Sequence, residues 1–177
     1  MLKTISIIFL VVFLCCCSSS SKINTSPLVY ENELFKFSYP DYWKTYIDHG
    51  HLSVSPKKYL RSNNNRYYNI FDIIEYSNSN SNLKPITIES LIENEIVSAK
   101  NYAEETIFDR SVIQTDYGDV IVIKMDKKHP TQPLKELIHY YAFNNTIYAL
   151  KYSVINNDFQ NHIGDAMFIF NSFEIKK

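Results

Sequence analysis

The three cysteines of this 177-residue chain stand side by side, at Cys15, Cys16 and Cys17. Neighbouring cysteines bridge only in a strained geometry, and no fourth cysteine lies elsewhere to pair with them. Whatever follows residue 17 must therefore hold together without a disulfide, on its apolar core alone. The chain also has only three glycines, Gly50, Gly118 and Gly164. Left-handed backbone is thus available cheaply at few points, and no glycine-rich phosphate loop can be built.

The cysteines close an apolar run, Ile5–Leu14, that follows Lys3 and precedes Ser18–Ser21 and Lys22. The run is too short to span a bilayer, which takes roughly 20 apolar residues, and the serines prevent its extension. A secretory leader is expected instead. The residues before Cys17, Leu14-Cys15-Cys16, are similar to the bacterial lipobox, in which Leu opens the motif and a small residue precedes the lipidated Cys. For Cys16 the motif would open on Phe13, and for Cys15 the residue before the cut would be the bulky Leu14. The resemblance implies a leader over residues 1–16 and lipidation at Cys17, with Cys16 as the alternative. Several acyl chains make such an anchor firm, because each buried CH₂ contributes about 0.8 kcal/mol. Residues 17–27 then form a serine-rich tether, and 28–177 a single domain.

Without residues 1–16 the chain loses one positive charge, Lys3, and its net charge of -1 becomes -2. That balance excludes the basic excess of a nucleic-acid binder. A domain of this size can bury roughly 70% of its unfolded-chain surface. The 14 tyrosines suit half-buried strands, where the ring is covered and the hydroxyl stays wet.

Short strands are expected at Leu28–Tyr30 and Leu34–Tyr39. In the second, Phe35, Phe37 and Tyr39 alternate with Lys36 and Ser38. Pro40 ends it, and Asp41-Tyr42-Trp43 reads as a turn that tucks Trp43 on the core. A strand pair, Lys44–Ile47 and Leu52–Ser55, flanks Asp48-His49-Gly50-His51. An Asn-rich loop over 56–66 leads to a longer strand, Tyr67–Tyr76, and Ser77–Pro85 reads as a surface loop. Thr87 should cap a helix from Ile88 to about Glu104, with Glu89 in its first turn. Strands at Phe108–Asp116 and Val120–Met125 flank a turn at Asp116-Tyr117-Gly118-Asp119. After a loop at Lys127–Lys135, Glu136–Phe143 and Thr146–Val154 pair around Asn144-Asn145. A second helix runs from about Asp158 to Phe170, capped by Asn157 or Asp158, and a short return ends the chain. Hairpins predominate. The expected class is α+β, a mostly antiparallel β-sheet flanked by two main helices.

Three segments of this order resemble one known fold. Phe35-Lys36-Phe37-Ser38-Tyr39-Pro40 with Tyr42-Trp43 is similar to the opening of PsbP/Mog1-like proteins, including the small bacterial lipoproteins related to DcrB. The helix, strand, Gly hairpin and strand of the middle, and Tyr148–Tyr152, Phe159 and Phe168–Phe173 at the end, are similar to that family too. Together they cover Leu28 to Lys176. The resemblance implies an α/β/α sandwich. It implies no activity, since proteins of this fold serve as photosystem factors, as a small-GTPase binder and as envelope lipoproteins.

The residues with chemistry are few. Asp48, His49 and His51 sit in one turn and could meet a metal, with Asp126, His129 or His139 as further ligands. A zinc site needs three or four ligands, so exposed turn histidines are the expectation and no metal or other cofactor is assigned. No Gly-x-Ser-x-Gly elbow occurs, and Glu93, Glu95, Glu104 and Glu105 read as the solvated face of a helix. Tyr67, Tyr68, Tyr140, Tyr141, Tyr148 and Tyr152 could line a ligand groove, but core positions are expected. The resulting expectation is a non-catalytic envelope module. Its lipid would hold it to a membrane, the outer one facing the periplasm or the cell surface, and its partner would be another envelope protein. A carrier of a small apolar ligand between sheet and helix is the alternative, and a histidine-based metal enzyme a distant third.

Overall fold

A computed structural model describes residues 26–58, 69–77, 84–155 and 158–176. Cys15–Cys17, the leader, most of the tether, and Tyr67 and Tyr68 lie outside the described residues. The strands are β1 (Leu28–Glu31), β2 (Phe35–Tyr39), β3 (Trp43–Asp48), β4 (His51–Pro56) and β5 (Ile70–Ser77), followed by helix α1 (Ile88–Tyr102). Then come β6 (Glu105–Thr115), β7 (Gly118–Lys128), β8 (Leu134–Phe143), β9 (Thr146–Ile155), helix α2 (Phe159–Ser172) and β10 (Glu174–Ile175).

The main sheet has seven strands in the order β3-β4-β5-β9-β8-β7-β6, and β1-β2-β10 form a separate small sheet. All their pairings are antiparallel. The α+β expectation holds. One sheet was expected where the structure has two, because β2 leaves the main sheet to pair with the two ends of the domain.

Period-two alternation divides the main sheet into two faces. On one, Val120, Val122, Leu137, Tyr141, Tyr148, Leu150, Tyr152 and Val154 pack against α2 and β2. Trp43, fully buried, belongs to this cluster as the first residue of β3. The aromatic run Phe35, Phe37 and Tyr39 closes it, with Phe173 seated between Phe35, Tyr141 and Tyr148 at centroid distances of 5.4, 5.3 and 6.1 Å. On the other face, Ile123, Met125, Ile138, Tyr140, Ile147 and Ala149 receive Leu91, Ile92 and Ala99 of α1.

The two helices are fixed differently. Thr87 Oγ1 accepts from the Ser90 N–H at 3.1 Å, and Ser90 Oγ accepts from the Thr87 N–H at 3.1 Å, a reciprocal cap at the expected residue. At α2 Asp158, one of the two expected caps, has helical backbone angles and makes no side-chain bond to the helix amides, and Asn157, the other, lies outside the described residues. The helix is held instead by burial of Ala166, Ile169 and Phe170.

The hairpins formed as read, but longer. Asn144 and Asn145 take φ of 47° and 60°, the left-handed pair that a tight β8–β9 turn requires. The expected loop at Lys127–Lys135 shrinks to residues 129–133. Lys127 and Lys135 are strand residues, carried into β7 and β8 by cross-strand pairing that their polarity concealed.

Candidate functional site

A groove opens between α2 and the outer strands of the main sheet. Val122 and Leu137 form its floor, Phe159, Ile163 and Met167 one wall, and Ile107, Asp109, Ser111 and Ile113 of β6 the other. Its volume is about 530 Å³. It continues, past Ile113 and His139, into a second depression of about 580 Å³ bounded by Tyr117, Tyr141, Phe170 and Phe173. Both exist because α2 covers only the inner part of the sheet and leaves the face of β6 open. Ile107 and Ile113 are 51% and 46% exposed.

The lining is apolar, with charge at one end. Asp109 lies directly across from Lys124, and Lys135 Nζ stands 3.2 Å from Asp126 and over the Phe159 ring. His139 sits at the junction, stacked on Phe170 at 3.9 Å between ring centroids. Burial pushes its imidazole down to about 4, so the ring is neutral at physiological pH. Such a surface can take an apolar chain or a row of apolar side chains, with polar ends held at the rim.

The opposite face holds a buried ionic chain, legible in no sequence motif. Lys151 Nζ donates to both Glu95 oxygens at 3.1 and 3.0 Å and reaches Glu136 at 3.2 Å. Glu136 also pairs with Lys127 and accepts from Ser153 Oγ at 3.2 Å. Burial would push the Glu136 carboxyl up, but the Lys151 and Lys127 ammoniums outweigh it and hold it below the usual range. For Lys151 burial works downward, and Glu136 and Glu95 reverse it, so the ammonium is held above its ordinary value. Glu95 was expected on a solvated helix face. It is instead the α1 contribution to this chain, and its side chain is only 22% exposed. Nearby, burial pushes Asp72 up, although Ser53 Oγ donates to it at 2.6 Å. Every charge in this chain is matched within it, so it reads as internal structure, although Glu136 also borders the groove.

The histidines are not gathered. His49 takes φ of 48° in the β3–β4 turn, and its Nδ1 meets Asp48 at 2.8 Å with the side chain 70% exposed. His51 faces Asp48 across the hairpin. His129 stacks on Tyr102, and His139 on Phe170. Among the described residues no three His, Cys, Asp or Glu side chains come together as a metal would need. Of the tyrosines, Tyr140, Tyr141, Tyr148 and Tyr152 are all core residues, and only Tyr141 reaches a groove wall. A pair missed in the sequence is His162 and Asp165 of α2, 3.2 Å apart and packed edge-on to Trp43. It lies outside both grooves.

The small sheet, the seven-stranded sheet and the helix on each of its faces define a PsbP-like α+β sandwich. The solution structure of cyanobacterial PsbP (CyanoP) from Synechocystis sp. PCC 6803 superposes with a TM-score of 0.62 at 10% identity, over 85% of this chain and 93% of that one. LpqN of Mycobacterium tuberculosis, described as involved in cell envelope biogenesis, gives 0.57 at 9% identity, over 86% and 85%. A Bacteroides thetaiotaomicron protein gives 0.51 at 14%, over 81% of this chain and 45% of that one. No protein-family model matches the sequence, and no curated protein matches it. At these identities the likeness is one of fold: the chain has the PsbP-like fold, as its opening and closing motifs implied.

Proposed function

We propose that this chain is an envelope lipoprotein anchored through Cys17, with Cys16 as the alternative, whose domain is a non-catalytic accessory module. Its groove between α2 and β6 receives an apolar segment of another envelope protein. The observation that carries the reading is the groove itself. It is open along its length and bordered by an uncovered strand, a shape suited to an extended segment. An envelope setting is supported by the leader-like residues 1–16 and by the involvement of LpqN, which shares the fold, in cell envelope biogenesis. Among the described residues no helix is long and apolar enough to cross a membrane. Ser18, after the anchor, is not an acidic residue of the kind that resembles an inner-membrane retention signal, which favours the outer membrane.

A second reading, a carrier of an acyl chain, draws on the same apolar lining. Photo-crosslinkers placed at Met167 and, as a control, at Gln160 in intact cells separate the two. A discrete protein adduct at Met167 alone, lost in Ile163→Lys, supports the partner module. A lipid adduct at Met167 with no protein adduct overturns it in favour of the carrier.

A further inference from the structure

We propose that two copies of this chain pair edge to edge through β6, with Arg110 on the twofold axis, to make one continuous sheet. The argument begins with the edge. β6 is the outermost strand of the main sheet, 11 residues long, and nearly all of it is exposed. Edge strands are usually blunted by charged side chains, proline, bulges or shortness. β6 has no proline or lysine, and of its three charged residues Glu105 and Arg110 are paired within the chain, with Lys128 and Glu89. It instead exposes four large apolar side chains, Ile107, Phe108, Val112 and Ile113, at 51, 38, 55 and 46%.

Those four residues are arranged symmetrically. Ile107 and Ile113 stand three positions either side of Arg110, and Phe108 and Val112 two. Placing a second β6 antiparallel about Arg110 sets Ile107 against the partner's Ile113 on one face. On the other face it sets Phe108 against the partner's Val112, and each pair occurs twice. Asp109 meets the partner's Ser111, whose hydroxyl can donate to the carboxylate. Two arginines meet at the axis. Each is already held by its own Glu89, through a fork of 2.9 and 2.6 Å, so the axis carries no net charge.

Backbone geometry selects the same register. Thr115 and Gly118 close the β6–β7 hairpin across two residues. Such a closing pair exchanges both hydrogen bonds, so odd positions of β6 bond to β7 and even positions point outward. With Arg110 on the axis, positions 106, 108, 110, 112 and 114 meet even positions of the partner. That makes about ten new hydrogen bonds. Sliding by two residues one way sets Asp109 against its own copy, and the other way sets Ile113 against the partner's Asp109. The self-matching pattern is why the occupant is a second copy and not a foreign strand. Because the axis is perpendicular to the sheet, both grooves would open on the same side.

Sedimentation velocity of the full chain, extracted in density-matched detergent, tests this. Edge pairing buries a small interface, so mass should double over about 1–100 μM. Phe108→Asp and Val112→Lys, both at exposed positions, should each weaken association about tenfold or more, because each spoils two pairs per dimer. Mixing the two variants should restore the dimer, since the introduced charges then face each other. Ile47→Lys, on the opposite sheet edge, should leave it intact. A wild-type chain monomeric at 100 μM, or variants that remain dimeric, would overturn the proposal. A mixture that stays monomeric would overturn the register.

Discussion

Ser172, the last residue of α2, is bonded to Ser38 near the end of β2. Its Oγ accepts from the Ser38 N–H at 2.9 Å and lies 3.1 Å from the Ser38 carbonyl and from that of Ile169. One hydroxyl thus ties the end of the second helix to the small sheet, 134 residues away in sequence. It also sets the direction in which Phe173 enters the core. Ser172→Ala leaves the Ser38 amide without that acceptor and should cost about 1–2 kcal/mol. Chemical denaturation should show a lower midpoint with an unchanged slope.

The ionic chain across the other face makes a sharper prediction. Lys127 and Glu136 have side chains only 6% and 4% exposed. Glu136→Leu strands Lys127 without its carboxylate and should destabilise by about 3–5 kcal/mol. Lys151 keeps Glu95 and should tolerate the change. Adding Lys127→Met to Glu136→Leu should recover most of the loss in urea titrations. Equal destabilisation by the single and double variants would show that packing, not charge, holds this site.

His139 predicts how stability responds to acid. Its folded value, about 4, lies below the ordinary 6.5. The unfolded chain therefore binds more protons between those values. Stability is complete above about pH 6.5 and declines as pH falls toward 4, by about 3 kcal/mol in all. Asp72, pushed up by burial, works in the opposite sense. The test is a comparison with His139→Leu, whose stability should fall less between pH 7 and pH 4. Parallel curves for the two chains would contradict the assignment.

At the β8–β9 turn, Asn145 sits at φ of 60°. Asn145→Gly should be neutral or stabilising by several tenths of a kcal/mol, whereas Asn145→Val should cost about 1–2 kcal/mol. Thermal melts of the two variants should shift in opposite directions or differ by several degrees.

Most of the architecture was legible from local signals. The alternation in Phe35–Tyr39, the Thr87 cap, the Asn144-Asn145 turn and the α2 stripe each report on a few neighbouring residues. Strand ends were less legible, since Lys127 and Glu105 are polar residues that only their cross-strand partners place in strands. The groove was not legible at all. Ile163, Met167 and Leu137 look like ordinary core positions until the helix is seen to stop short of β6.

The row of cysteines and the periodicities of the chain thus determined by themselves that a disulfide-free α+β domain follows a leader-like segment. Those features are local, and local spacing suffices to read them. Tertiary structure alone decided that Glu95, Lys127, Glu136 and Lys151 neutralise one another, and that β6 is left as an uncovered edge beside a groove. Both depend on which strands become neighbours and how far a helix reaches across them. No side chain encodes either by its own position in the sequence.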